Sequence, residues 1–234
     1  MNKQPILILK NFSKQKKLKF AQLVKNIPSN KGAYYIKKLI NQELIIKNKD
    51  FYEITTKGEN FLAYLDKTEE TTEIKQPIHD VFLIAMNGNK ILFQRRKKRP
   101  FLGVIAPIGS RIRNGESIFE TAKTKFFRDT GLTGDFELKG LIDSITIKDK
   151  KIFLHHILNV FKITNTKGIL KNTEKGDNLW MSEKEYFGQK DKMTGMKEHF
   201  DIVKSKGFTF IEIVQHLDRS GKFKKMKIVR KIKY

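Results

Sequence analysis

Three carboxylates and several cations crowd one short stretch of this sequence, and their types limit the chemistry it can support. Glu116, Glu120 and Asp129 could offer oxygens to a hard divalent cation such as Mg²⁺. Lys125 and Arg128 could instead hold a phosphate by charge. The two uses conflict. A divalent ion ~6 Å from one lysine or arginine feels a repulsion of roughly 5 kcal/mol at an effective dielectric of ~20. Two such neighbours argue against metal binding there. A second cationic pair, Arg95-Arg96, ends an earlier apolar run and could meet a ligand's phosphates or base.

These side chains need a loop feeding a helix. Gly109 and Gly115 suit a loop with unusual backbone angles. Ser117 is expected to cap the helix, with Glu120 completing a capping box, and Gly131 to stop it. The helical period puts Ile118, Phe119, Ala122 and Phe126 on a buried face, with Thr121, Thr124, Lys125 and Arg128 opposite. Glu120 then lies one turn from Glu116, and Asp129 off that face.

Strands are expected upstream at 80–86 and 90–96, joined by the turn Asn87-Gly88-Asn89. Downstream, residues 136–147 and 151–163 form a strand pair, and 179–181 a strand leading to a helix capped by Ser182. Met193, Met196, Phe200 and Val203 mark one helix, and Phe210, Ile211, Val214 and Leu217 a second. The tail alternates, with Met226, Ile228, Ile232 and Tyr234 against Lys225, Lys227, Lys231 and Lys233, the period of a half-buried strand with a cationic outer face.

The segment from Ser110 to Leu132 resembles the Nudix box, G-x5-E-x7-R-E-U-x-E-E-x-G-U, in a register anchored by Gly115-Glu116 and Gly131-Leu132. The resemblance implies a Nudix-like α/β/α sandwich with a mixed sheet, over roughly residues 78–190. Glu116 falls on the family's first glutamate, Phe126 on an apolar slot, and Gly131 and Leu132 on the closing pair. The leading glycine is Ser110, the arginine is Thr124, the next glutamate is Lys125, and the last two glutamates are Arg128 and Asp129. In the family those glutamates hold Mg²⁺ or Mn²⁺ against a diphosphate. The substitutions argue against the usual hydrolysis and for no metal cofactor. They leave Arg95, Arg96, Lys125 and Arg128 as expected ligand-binding residues.

Residues 1–66 read as helix, helix, turn, helix, hairpin, helix. Ile6, Leu7 and Leu9 should face inward on the first helix, and residues 18–25 should form the second. Pro28 forces a break, and Ser29 or Asn30 can cap a third helix reaching about Gln42, with Ala33, Ile36, Leu39 and Ile40 buried. Strands are expected at 44–47 and 51–54, then a helix at 59–65. The order resembles a winged helix-turn-helix domain, and the phrase from Tyr52 to Gly58 followed by Phe61-Leu62 is similar to the wing exit of many bacterial regulators. The resemblance implies that the third helix enters the DNA major groove. Lys31 and Lys38 would contact phosphate, Asn41 and Gln42 base edges, and Tyr34 either; Ser29 and Tyr35 flank them, and Lys47 and Lys49 on the wing would contact backbone.

Residues 67–76, polar and locally acidic, read as a linker between residues 1–66 and a second domain at 77–234. Apolar residues make up 39% of the chain, enough for a core in each. The formal charge of +23 favours polyanionic partners, although lysine, isoleucine and asparagine are all abundant, a pattern that biased base composition also produces. No cysteine occurs, which excludes disulfides and thiolate metal sites and fits a cytoplasmic protein. No apolar run reaches the ~18 residues that span a membrane. Together these readings describe a DNA-binding transcriptional regulator with a sensor for a nucleotide-like ligand. Known regulators of this kind place the sensor first, the reverse of the order here. Many winged-helix regulators are homodimers, but no dimerisation seam is visible. The alternatives are a Nudix hydrolase with a displaced Mg²⁺ site and an RNA-binding or protein-interaction module.

Overall fold

The computed structural model describes residues 3–25, 27–63, 76–98, 101–218 and 221–234, without the side chains of Lys3 and Ala63. The chain divides into two compact units, Met1–Lys75 and Gln76–Tyr234. Of the expected linker only Gln76 lies within the described residues.

The first unit runs α1 (Lys3–Lys10), a 3₁₀ turn (Asn11–Ser13), β1 (Lys17–Lys19), α2 (Phe20–Leu23), α3 (Ser29–Asn41), β2 (Ile45–Asn48), β3 (Phe51–Ile54) and α4 (Thr56–Ala63). Its core gathers Ile8, Leu9, Leu23, Ile36, Leu39 and Ile45. The sheet order is β1-β3-β2. Three expectations change here. Residues 18–25 are not one helix. Lys17–Lys19 instead pairs with the free edge of β3, which buries Leu18 opposite Tyr52 and leaves four residues for α2. On α1 Ile8 is fully buried, whereas Leu7 is half-buried. On α3 the inward stripe runs through Gly32, Ile36 and Leu39, while Ala33 is exposed. A Cβ at Gly32 would lie 2.4 Å from Val24 Cγ1, so glycine lets α3 approach α2's end.

The second unit contains β4 (Ile78–Asn87), β5 (Lys90–Arg96), β6 (Ile105–Ala106), β7 (Ile108–Arg111), α5 (Ile118–Thr130), β8 (Leu132–Lys148), β9 (Lys151–Gly168), β10 (Gly176–Ser182), α6 (Glu183–Phe187), α7 (Met196–Lys204), β11 (Thr209–Leu217) and β12 (Phe223–Lys233). Its large sheet has the order β10-β5-β4-β9-β8-β11-β12, with β6 on β5 and β7 on β4. The sheet is mixed, because β4 runs parallel to β9 and β11 parallel to β8. Helices cover both faces. On one, Ala122 and Phe126 of α5 pack on Val81, Leu83 and Phe161. On the other, Phe200, Ile202 and Val203 of α7 pack on Phe82, Ile84 and Val160. β5 pairs with β4 only at Met86–Ile91 and Asn87–Lys90, and beyond that the two strands carry β6 and β7 instead.

The helix expected around Phe210 to Leu217 is strand β11. Residues 209–217 carry both periods, but Thr209, Ile211, Ile213, Gln215 and Leu217 are the buried set, and the β-branched content suits a strand beside β8. In β12 a bulge between the partners Glu212 and Ile213 breaks the expected alternation, placing Ile228 and Ile232 on opposite faces.

His199 lies within the α7 core, its Nδ1–H donating to the Gly195 carbonyl at 2.7 Å and its ring 5.0 Å from Phe82. Burial pulls its pKa down to about 4, against the opposing hydrogen bond. Below about pH 6.5 the unfolded chain takes up a proton that the native ring refuses. Stability is therefore full above that pH and falls as pH drops towards 4, by about 3 kcal/mol. Urea titrations followed by the single tryptophan, Trp180, should show this loss in the wild type. His199→Leu, less stable at pH 7, should lose about 3 kcal/mol less across the same range. Equal losses would assign the pH dependence to other groups.

Candidate functional site

α5 is entered through a tight loop in which Gly115 adopts a φ of 83°. There Glu116 Oε2 accepts hydrogen bonds from the Arg113 N–H at 3.1 Å and the Thr121 hydroxyl at 3.2 Å. The Arg113 N–H holds the Glu116 carboxyl below its usual range, and the nearby Lys125 charge adds to this against partial burial. One helical turn and two turns beyond Thr121 come Lys125 and Asp129, all three on the buried stripe.

Lys125 is only 8% exposed, and no hydrogen bond or ion pair within 4 Å reaches its ammonium among the described residues. Asp129 is 2% exposed. It accepts from Arg128 Nε at 2.6 Å, Arg128 Nη2 at 2.9 Å and Lys175 Nζ at 3.1 Å. Burial alone would raise its pKa, but the hydrogen bonds from Arg128 and Lys175 outweigh it and hold the carboxyl low. The hydrogen bond to Asp129 likewise raises Arg128. Behind this cluster Gln94 donates to Asn178 Oδ1 at 3.0 Å, and Asn178 Nδ2 donates to the Asp129 carbonyl at 2.6 Å. α5 ends at Gly131, whose left-handed φ of 77° supplies the expected stop.

The helix is rotated relative to the expectation from periodicity. Ile118 and Phe119 overhang the sheet and are 38% and 43% exposed, while Thr121 and Lys125 turn inward. Phe119 still meets Phe161 edge-on at 5.1 Å. The capping box does not form, because Glu120 pairs with Lys123 at the surface, 3.2 Å away. The three box carboxylates thus separate: Asp129 lies on the buried stripe, the half-buried Glu116 reaches that stripe only through Thr121, and Glu120 faces solvent.

This donor set does not fit a divalent ion. Both Asp129 oxygens already accept from cations, Glu116 stands beside Lys125, and Glu120 is committed elsewhere. Among the described residues no three His, Cys, Asp or Glu side chains are grouped to hold a metal.

A cavity of about 400 Å³ in the same unit is lined by Asp80, Phe82, Arg96, Phe101, His156 and Phe223, among others. Such a volume suits a small organic ligand. His156 Nδ1–H donates to Asp80 Oδ2 at 2.5 Å, and the His156 Nε2 and Arg96 Nε are buried without a partner. Burial lowers the Arg96 pKa, with Asp80 opposing. The Phe101 and Phe223 rings stack at 5.2 Å, and Phe101 holds a left-handed φ of 66°, a conformation that costs an aromatic residue energy. The two expected arginines do not converge. Neighbours on a strand point to opposite sides, so Arg96 enters the cavity while Arg95 Nη1 donates to the Gly103 carbonyl at 3.4 Å. Gln94, two residues before Arg96 on the same side of β5, reaches the Asp129 cluster through Asn178.

In the first unit Lys31, Tyr34 and Asn41 are exposed along α3, Tyr34 at 65%, and Lys38 and Tyr35 are half-buried. Ser29 is the first residue of α3 and makes no cap, since Pro28 occupies that position. Gln42 is half-buried, and its Oε1 has no partner. Lys47 and Lys49 are exposed on the β2–β3 hairpin, Lys49 with a φ of 53° in the turn.

Sequence reasoning missed Thr121, Lys175, Asn178, Asp80, His156, Phe101 and Phe223. Lys175, Asn178, His156 and Phe223 come from elements far along the chain, and none of the seven carries a spacing signal of its own.

Among solved structures the chain resembles the mutator MutT protein from Bacillus halodurans, with 21% identity and a TM-score of 0.52 over 65% of this chain and 97% of that one. It also resembles the MutT Nudix hydrolase from Burkholderia pseudomallei, with 15% identity and a TM-score of 0.49 over 56% and 100%. A third is the Nudix domain of Shewanella oneidensis NrtR complexed with ADP ribose, with 16% identity and a TM-score of 0.46 over 64% and 96%. At these identities the likeness concerns the fold alone, and the first carries it: the chain has a Nudix-like fold. No protein-family model matches the sequence, and no curated protein does.

Asp129→Asn should cost the second unit about 2 kcal/mol by urea unfolding read at Trp180. This is less than the ~3–5 kcal/mol for breaking a fully buried pair, because Arg128 and Lys175 can reach water. The cost should shrink as pH falls below 3.8, the ordinary aspartate value, where the unfolded chain takes up the proton first, and be gone once the depressed native carboxyl also protonates. A neutral substitution at pH 7 would mean that the clasp contributes nothing.

Proposed function

We propose that this chain is a DNA-binding transcriptional regulator, in which a winged helix-turn-helix unit reads DNA and a Nudix-like unit senses a nucleotide-like, phosphate-bearing ligand without hydrolysing it. The observation that carries this reading is the clasp on Asp129. Two cations already satisfy the carboxylate where a hydrolase of this fold needs it for metal, and a buried lysine stands at a second metal position.

The same cations suit a ligand's phosphates, and the cavity suits its ring. Lys125 and Arg128 supply charge that needs no metal. Arg96 and His156 offer unsatisfied polar atoms between aromatic walls. In the first unit, the order of α3, hairpin and α4 with a short third strand supports a winged helix. Lys31, Tyr34, Lys38 and Asn41 would then face the major groove and Lys47 and Lys49 the backbone. Ligand would regulate DNA binding only by favouring one arrangement of the two units over another.

Two measurements test this. Binding of the full chain to duplex DNA should weaken steeply with salt, and Lys31→Ala with Lys38→Ala should reduce the log–log salt slope by about 1.8, at ~0.9 per phosphate contact. Nucleoside diphosphate sugars and dinucleotides should raise the melting temperature in EDTA. Mg²⁺-dependent turnover of those compounds would show an active hydrolase, and an unchanged salt slope would remove the DNA-reading role of α3.

A further inference from the structure

β12 is the outermost strand of the large sheet and carries Lys224, Lys225, Lys227, Arg230, Lys231 and Lys233, with no acid from residue 223 to the last. All six are exposed. Two are engaged: Arg230 with Glu212 at 3.4 Å and Lys231 with Asp201 at 3.9 Å. Lys224, Lys225, Lys227 and Lys233 have no ion-pair partner among the described residues.

The row is held on a fixed support. At its root Phe223 stacks on Phe101, and Met226 packs against the α7 core, so close to Gly195 that a Cβ there would lie 2.2 Å from the Met226 sulfur. Pairing places Lys225 opposite His216, Lys227 opposite Val214 and Arg230 opposite Glu212, all on one face of the sheet. Alternate residues on a strand lie ~6.8 Å apart, twice the ~3.4 Å axial spacing of phosphates along one strand of duplex DNA. Exposed Val229 and Tyr234 add apolar surface to the same edge.

We propose that β12 binds the phosphate backbone of a nucleic acid, as a contact separate from α3 and not dependent on the first unit binding DNA. Lys225 and Lys227, unpaired on one face, and Lys224 and Lys233 along the same open edge form a cationic rim that a polyanion can neutralise, each contact releasing a condensed counterion.

The test uses the full chain, a labelled DNA duplex and a labelled single-stranded RNA, with anisotropy titrations across a salt series. The variant replaces Lys224, Lys225, Lys227 and Lys233 by Gln. The control replaces Lys151, Lys167, Lys184 and Lys190, also exposed, by Gln, with the same change in net charge. Both variants should keep the wild-type melting temperature; should the β12 variant melt lower, Ala in place of Gln at the two ends, Lys224 and Lys233, gives a second variant. The β12 variant should lose about 3.6 from the log–log salt slope on duplex, or about 2.8 on single-stranded RNA, and the control should lose little. The probe that shows the larger loss identifies the nucleic acid. Equal losses in both variants would mean that total charge alone drives binding. No loss in the β12 variant would leave these lysines as guards of an open sheet edge, and either result overturns the proposal. Failure of the Lys31 and Lys38 substitutions alone would remove the role of α3 and leave β12 standing.

Discussion

The second unit is arranged around one ionic clasp. Arg128 and Lys175 close on Asp129 from two elements, with α5 carrying the acid and one cation and the segment before β10 carrying the other. Asn178 then ties β10 to the α5 backbone at the same residue, and Gln94 ties β10 to β5. Loop, helix and two strands are thereby held in one register. Two of this chain's own cations thereby supply positive charge at the C-terminal end of α5.

Much of this was legible in the sequence. The loop into α5 and the stop at Gly131 follow from glycine placement and helical period, and both recur in the structure. The long strands β4, β5, β8 and β9 were visible because their apolar runs are bounded by turn residues. What failed was rotation about the helix axis. Ile118 and Phe119 look like core by type, yet they sit where the helix overhangs the sheet. Lys125 looks like surface by type, yet its stripe faces inward. Binary patterning cannot anticipate that, because a buried lysine is bought by a site and not by a pattern. β11 failed for a different reason, since its residues satisfy both periods and only the open edge of β8 decides between them.

The partners of the clasp and the cavity lay beyond sequence reading for a topological reason. Lys175 is 46 residues from Asp129, and His156 is 76 from Asp80. Such contacts appear only once β9 lies parallel to β4 and β10 antiparallel to β5. The same pairing explains why Arg95 and Arg96, adjacent in sequence and alike in charge, serve different places. The cavity exists because β5 leaves β4 after two residue pairs, opening a space that β6 and β7 flank.

The proposed exclusion of metal by side-chain cations is open to a direct measurement: titration of the full chain with Mn²⁺, with the free ion followed by electron paramagnetic resonance. The clasp predicts no tight site and identical curves for the wild type and Glu116→Gln. One tightly bound Mn²⁺ per chain, lost in Glu116→Gln, would contradict it.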